Sequence, residues 1–157
     1  MNAPRHRCRL EIFADYFQFY VWDPQKSQGQ APESWSEQDI ANRVKITPGV
    51  VVICPVRNMK VPVEIGIWAS EPQVVFNLWQ HVVEVPLTTD GIIEVHECTG
   101  GSLAAFTVDP GTYTVRALFR GLDKLSEDGL EGDDFYEIQI WNSPCTGLKV
   151  IRQWPTK

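Results

Sequence analysis

The sequence predicts a mostly β fold, namely an antiparallel β-sandwich of about eight strands with one short helix near residues 36–44. Three observations support this prediction. Runs of aromatic and β-branched residues recur along the chain, turn-forming residues separate most of these runs, and only one segment has the signature of a helix. Short strands that follow one another so closely are typical of antiparallel sandwiches and barrels.

The first strand region, residues 10–22, alternates apolar and polar side chains. Its phase changes near Ala14 and Asp15, which predicts a bulge or tight turn there. Further strands are expected at residues 50–54, 61–68, 81–86, 91–97, 103–108, 113–119 and 135–141. The Asp-Pro-Gly sequence at 109–111 is the clearest turn signal, so residues 107–115 are predicted to form a hairpin.

The helix prediction depends on an N-terminal cap. Ser36 can accept a hydrogen bond from the helix backbone. Asp39 places a carboxylate in the first turn, where the helix dipole favours negative charge. Ile40 and Val44 lie four residues apart and therefore share one face of the helix.

Length and composition agree with one folded domain. The chain has 157 residues, of which 43% are hydrophobic and 11% aromatic, so it can bury a substantial core. We predict a single β-sandwich domain at residues 9–141. A flexible basic leader is expected before it, at residues 1–8, and a C-terminal extension after it, at residues 142–157.

Charge and hydropathy argue against several kinds of ligand and location. A net charge of −6 disfavours direct binding of nucleic acid, because phosphate contacts need clustered Lys and Arg. No apolar run approaches the roughly 18 residues that a membrane span needs, and residues 1–8 lack the apolar segment of a secretory signal. We therefore expect a cytoplasmic protein without membrane contact. Its cysteines are expected to be free thiols, at Cys8, Cys54, Cys98 and Cys145.

Known catalytic and metal-binding patterns are missing from the sequence. There is no G-x-S-x-G nucleophile motif, no H-E-x-x-H or C-x-x-C metal motif and no phosphate-binding glycine loop. The sequence therefore predicts a protein that is not an enzyme and uses no cofactor or metal. A pair of strand carboxylates, as in glycosidases, stays an alternative, because two acids can meet from distant strands. The candidates are Glu11, Glu64, Glu84, Glu94 and Glu137.

The most informative segment is the acidic loop, which we define as residues 121–134. It contains six acids and one lysine, for a net charge of −5, whereas the rest of the chain carries only −1. The acids are Asp123, Glu127, Asp128, Glu131, Asp133 and Asp134. The loop is longer than a plain hairpin connection needs. Its three leucines can anchor an ordered conformation.

Three interpretations of the acidic loop stay open. It can be a solvated segment that keeps a sheet edge soluble. It can bind calcium, although the EF-hand pattern fails, since counting from Asp123 puts Leu125 at position three and Asp128 at position six. It can also present carboxylates to a basic protein partner, because such a surface speeds association electrostatically and imitates nucleic-acid phosphates.

Several short motifs follow one another in an order that is also found in a known family. They are Tyr16-Phe17-Gln18-Phe19, residues 35–40 with a leading tryptophan, 49–54, Arg57-Asn58, 83–87, 90–92, 108–113 and, after the acidic loop, 135–141. This order resembles the competence protein J family, small intracellular inhibitors of a DNA-entry nuclease. The similarity covers roughly residues 9–141. The acidic loop is longer and more glycine-rich than the family pattern.

The resemblance implies a β-sandwich that binds and inhibits a nuclease without catalysis. We therefore predict a non-enzymatic binding protein, an inhibitor or immunity-type partner of a nuclease or another basic protein. The six acids of the acidic loop are its predicted partner-binding residues. The alternative is a β-sandwich that binds a ligand or carbohydrate, with calcium at the same loop.

Overall fold

The computed structural model describes residues 3–155, in which eleven strands and one α-helix form. The strands are β1 Pro4–Phe13, β2 Phe19–Trp22, β3 Val44–Thr47, β4 Val50–Ile53, β5 Lys60–Trp68, β6 His81–Thr89, β7 Ile92–Glu97, β8 Gly101–Thr107, β9 Gly111–Arg120, β10 Phe135–Asn142 and β11 Lys149–Arg152. The helix α1 is Glu37–Asn42, and 3-10 turns lie at Asp15–Phe17 and Phe76–Leu78. Among these residues, no helix has the length and apolar character needed to cross a bilayer.

The strands form two sheets that pack against each other. Sheet A has six strands in the order β1-β5-β10-β9-β6-β11, and sheet B has five in the order β3-β4-β2-β7-β8. Neighbouring strands are antiparallel except β5 and β10, which run parallel with Val63 opposite Tyr136. The predicted mostly β, sandwich-like fold is confirmed. The one parallel pair departs from the predicted antiparallel arrangement.

The predicted number of about eight strands is too low. Residues 10–22, predicted as one strand region, divide at Ala14 into β1 and β2, which join different sheets. The end of the predicted helix becomes β3, because Arg43 adopts a left-handed φ of 60° and ends α1. The short strand β11 lies in the predicted extension. Four-residue edge strands carry too few alternating positions to be recognised in a sequence.

The core lies between the two sheets and is aliphatic and aromatic. Sheet A contributes alternate side chains such as Ile65, Val115 and Ile138, and sheet B contributes Phe19 and Ile53, all fully buried. Burying one such side chain contributes about 1.5–3 kcal/mol. Burial alternates along much of β5 and β7, as the predicted period of two requires, whereas all four residues of β2 and of β4 are buried.

The phase change near Ala14 is a tight turn, as predicted. Ala14 is buried, and its N–H donates to the Met59 carbonyl at 3.0 Å. Tyr16 and Phe17 then adopt left-handed backbone angles, with φ of 57° and 58°, as the chain passes from sheet A to sheet B. Both aromatic side chains are exposed.

The N-terminus of α1 has the predicted cap. Ser36 Oγ accepts from the Asp39 N–H at 3.1 Å, and the Asp39 carboxylate accepts from the Ser36 N–H at 2.9 Å. This reciprocal capping box satisfies two backbone donors. Lys45 Nζ lies 2.8 Å from the same carboxylate, so the cap also ties α1 to β3.

Both ends of the described chain contribute strands. Residues 4–8 of the predicted flexible leader belong to β1, because their backbone pairs with β5. The extension supplies β11, and Trp154 N–H donates to His81 Nδ1 at 3.1 Å. His81 Nε2 lies 2.7 Å from the Asn42 carbonyl, so this neutral ring joins the extension to the end of α1. Residues 1–2 of the leader and 156–157 of the extension lie outside the described residues.

Candidate protein-binding surface

The acidic loop connects β9 to β10 and has a defined backbone conformation. Its two halves pair with each other: Ser126 N–H donates to the Glu131 carbonyl at 2.8 Å, and Asp133 N–H donates to the Lys124 carbonyl at 3.0 Å. A β-bridge lies between these two bonds. Because its backbone groups are satisfied internally, the loop has its shape before any partner binds.

Two aspartates of the loop have structural partners. Asp128 Oδ1 accepts from Ser126 Oγ at 2.6 Å and from the Leu130 N–H at 3.0 Å, which closes a turn. Asp123 Oδ1 accepts from Gln80 Nε2 at 3.0 Å. These hydrogen bonds favour the ionised forms, so the pKa values of both carboxyls are lowered. Both acids therefore keep their charge while they hold the loop.

Asp134 is buried, which corrects the prediction that it contacts a partner. Only 1% of its surface is accessible. Arg57 Nε lies 2.7 Å from Asp134 Oδ1, and the Tyr136 hydroxyl donates to Oδ2 at 2.6 Å. Burial, together with the adjacent carboxylate, raises the pKa of Tyr136, so its hydroxyl stays protonated. Arg57 also donates to the Leu130 carbonyl at 3.1 Å, so one guanidinium anchors the loop at two points.

Three carboxylates of the acidic loop are open to a partner. The side chains of Glu127, Glu131 and Asp133 are exposed and form no hydrogen bond or ion pair with residues 3–155. Asp123 and Asp128, which accept hydrogen bonds within the chain, are exposed as well. Five negative charges therefore face solvent, against the single positive charge of Lys124. Their mutual repulsion is relieved when a cationic surface binds.

The acidic loop gives the calcium interpretation no geometric support. In the part of the chain that the structure describes, no three His, Cys, Asp or Glu side chains come together as a metal ion requires. Calcium takes six to eight oxygen ligands. Two of the loop's aspartates instead direct an oxygen at the side chains of Gln80 and Ser126.

The strand glutamates considered as a catalytic pair have structural contacts. Four of the five bind another side chain of the sheets: Glu64 with Arg7, Glu84 with Arg116, Glu94 with Trp22 and Glu137 with Gln139. Glu11 is exposed on the edge strand β1. Ordinary ion pairing and hydrogen bonding on the sheet faces account for these residues.

Residues 54–59, the connection from β4 to β5, join the acidic loop to the turn that carries Tyr16 and Phe17. Arg57 contacts the loop, as described above. The next residue, Asn58, accepts from the Tyr16 N–H at 3.0 Å through its Oδ1. The acidic loop and the two exposed aromatic rings therefore belong to the same end of the molecule.

Comparisons with known proteins identify the fold. No family model matches the sequence, and a search of curated proteins finds no match. Among solved structures, the chain is similar to ComJ from Bacillus subtilis, described as an inhibitor of the DNA degrading activity of NucA. The TM-score is 0.67 at 19% identity, over 91% of this chain and 99% of ComJ. The fold is ComJ-like.

A second solved structure has the same general fold. It is described as crocagin biosynthetic gene J and aligns with a TM-score of 0.53 at 17% identity, over 88% of this chain and 96% of that chain. At these identities the similarity shows the fold alone. The resemblance to the competence protein J family is thus confirmed for the ComJ-like fold.

The acidic loop of this ComJ-like fold is visible in the sequence, whereas the exposure of the aromatic turn, which we define as Tyr16 and Phe17, was not predicted. A signal was present, since Tyr16 and Phe17 are adjacent aromatic residues at a change of strand phase. Two neighbouring residues of a strand point to opposite faces. The interruption of the strand at this point lets both side chains be exposed together.

Proposed function

We propose that this chain is a non-enzymatic binding protein of the inhibitor or immunity type, and that its partner is a basic protein of the nuclease class. The observation that carries the proposal is the acidic loop, a shaped segment with five exposed carboxylates on a chain that is otherwise nearly neutral. In this proposal the chain acts in the cytoplasm, and the loop is the first contact with the partner.

The chemistry of nucleases explains why such a surface suits them. A nuclease holds the phosphate backbone of its substrate with Lys and Arg side chains. Carboxylates on an ordered loop can bind those side chains in place of phosphates, and opposite charges also steer the two proteins together. Because the loop is already ordered, binding loses little conformational entropy.

The comparisons support the partner class without carrying residue roles. ComJ is described as inhibiting the DNA degrading activity of NucA, and this chain is similar to it over nearly the whole of both chains. One fold can serve several partners. The acidic loop is therefore the feature to test.

The test compares two triple variants that change the net charge equally. The loop triple, Glu127→Gln, Glu131→Gln and Asp133→Asn, neutralises the three carboxylates that have no structural partner. The control triple, Glu11→Gln, Glu33→Gln and Asp109→Asn, neutralises three exposed acids elsewhere on the chain. Each immobilised protein is used to capture partners from a lysate of the native host. The captured protein is then purified for association kinetics and for a DNA degradation assay.

We expect the parent and the control triple to capture a basic nuclease and inhibit it. The loop triple should associate about tenfold more slowly and with a weaker dependence on salt. Equal capture by both triples would remove the loop from the interface. A captured partner that is acidic, or that has no nuclease activity, would contradict the proposed class.

A further inference from the structure

An apolar cleft lies at the end of the molecule where the turn at Tyr16 and Phe17 is. One of its lining residues, Val56, directly precedes Arg57, which binds the acidic loop. The cleft has a volume of about 420 Å³, and it opens between the turn at Tyr16 and Phe17, the helix α1 and the start of the β4–β5 connection. Ile40 of α1, Val56 of the connection and Trp35 are among the residues that line it. The cleft is large enough for one bulky side chain of another molecule.

The walls of the cleft are unusually exposed for apolar residues. The accessible fractions are 67% for Tyr16, 48% for Phe17 and 56% for Ile40. Contiguous apolar surface on a folded protein marks sites of interaction. None of these three side chains belongs to the buried core clusters, so their role in stabilising the fold is small.

The backbone under the two aromatic rings is strained and firmly held. A left-handed conformation costs a non-glycine residue roughly 1–2 kcal/mol, and two successive residues adopt it here. The turn is fixed because the Tyr16 N–H donates to Asp15 and Asn58 at 3.1 and 3.0 Å. Thr99 Oγ1 in turn donates to the Asp15 carboxylate at 2.8 Å. Rings on a fixed backbone lose little freedom on binding.

We propose that this cleft is the apolar centre of the binding surface and takes one large uncharged side chain from a loop of the basic partner. Lys or Arg residues beside that side chain contact the acidic loop. This inference rests on the proposed function and adds the second half of the interface. Protein interfaces commonly combine an apolar centre, which provides most of the affinity, with a polar rim.

The charge in the wall of the cleft disfavours a cationic occupant, and the largely apolar lining favours an uncharged one. Arg43 lies in the wall, with Nη2 3.5 and 3.4 Å from the carbonyls of Trp154 and Pro155, and no described carboxylate is within ion-pair distance of it. A cation in the cleft is repelled by this guanidinium. Cys54 adds no negative charge, since burial raises the pKa of its thiol to about 12. Cationic side chains are therefore directed to the acidic loop, and the apolar one to the cleft.

The test uses two peptides instead of the unidentified partner. The first is acetyl-Lys-Lys-Gly-Trp-Gly-Lys-Lys-amide, and the second has Ser in place of Trp. Dissociation constants are measured by NMR shift titration of the labelled chain. We expect the Trp peptide to bind the parent about tenfold more tightly than the Ser peptide. Backbone amides of Tyr16, Phe17 and Ile40 should shift with the Trp peptide and not with the Ser peptide.

A pair of double variants assigns this preference to the cleft. The cleft double, Phe17→Asn and Ile40→Gln, should bind both peptides equally, because it removes exposed apolar walls. The control double, Ile92→Thr and Leu103→Thr, removes exposed apolar side chains on β7 and β8 and should keep the tenfold preference. Thermal melts of all variants confirm that they fold.

Each result has a separate meaning for the two proposals. Equal binding of the two peptides by the parent, or a preference that survives in the cleft double, would overturn the cleft proposal. The loop triple should bind both peptides more weakly than the parent does, while it keeps the preference for the Trp peptide. If the loop triple binds both peptides as well as the parent does, the role of the acidic loop fails, and the cleft proposal is still decided by the Trp and Ser peptides.

Discussion

Two charge-rich regions of this molecule differ in whether their charged side chains are buried and bound within the chain. Arg116, on the outer face of sheet A, is fully buried and bound to Glu84 at 3.0 Å, Glu71 at 3.1 Å and Gln139 at 2.9 Å. Glu131, in the acidic loop, is exposed, and no described side chain binds it. Charges of the first kind hold the fold together, whereas charges of the second kind are available to another molecule.

Removing the buried cation should have the largest effect. Arg116 also lies over the rings of Trp141 and Phe76, at 4.7 and 5.3 Å, and donates to the Pro72 carbonyl at 2.6 Å. Arg116→Met leaves Glu84 half-buried without its cation, so we expect a loss of about 3–5 kcal/mol in the free energy of unfolding. Urea denaturation measures it, with the exposed Arg5→Met as control. A loss below about 1 kcal/mol would mean that the network is not structural.

His81 extends the comparison to a buried group that is kept neutral. Burial, which outweighs the hydrogen bond to Asn42, lowers the pKa of His81 to about 4, below its ordinary value of 6.5. The unfolded chain therefore binds the proton more readily between these values. Stability from this residue is complete above pH 6.5 and should fall by about 3 kcal/mol as the pH drops to 4.

The measurement for His81 is the difference in unfolding free energy between the parent and His81→Asn across that pH range. In the neutral ring, Nδ1 accepts a hydrogen bond from the Trp154 N–H. Protonation at Nδ1 removes this acceptor and places two N–H groups against each other. The pH-dependent part should vanish in the variant. Parallel pH profiles of parent and variant would show that His81 takes up a proton as readily in the folded chain as in the unfolded one, so that its pKa is not lowered.

Asp133 and Asp134 offer the sharpest comparison, because they are adjacent and the same substitution applies to both. Asp134→Asn removes the charge that faces Arg57, so we expect a loss of about 2 kcal/mol and a looser acidic loop. Asp133→Asn should change stability by less than about 0.5 kcal/mol. Thermal and urea unfolding of the two single variants give this comparison directly. Equal effects would show that burial does not separate the two residues.

The loop triple should have the smallest effect on the fold. Its three carboxylates have no structural partner, so stability should stay within about 0.5 kcal/mol of the parent. Removing like charges from one loop reduces their repulsion and can raise the stability slightly. A loss above about 1 kcal/mol would show that these acids, like Arg116, help to hold the fold together.

Much of the fold could be predicted because strand alternation reports burial locally. Residues 61–68 and 135–141 were recognised as strands for that reason, and they correspond to β5 and β10. Their parallel pairing could not be predicted, since it joins segments far apart in the chain. The same limit applied to the site: the composition of the acidic loop was visible, but the burial of Asp134 depends on Arg57, a distant residue. The cleft was missed because three separate segments form its walls.

The parallel pairing of β5 with β10 has a consequence for how the protein is made. On the ribosome, β5 is synthesised well before β10, so one edge of β5 stays open until most of the chain has emerged. Non-local pairings of this kind form slowly. The contact of Arg57 with Asp134 spans the same interval, so the acidic loop is anchored to the rest of the fold only as sheet A closes. The five exposed carboxylates of the acidic loop are therefore placed against the rest of the fold only when the chain is complete.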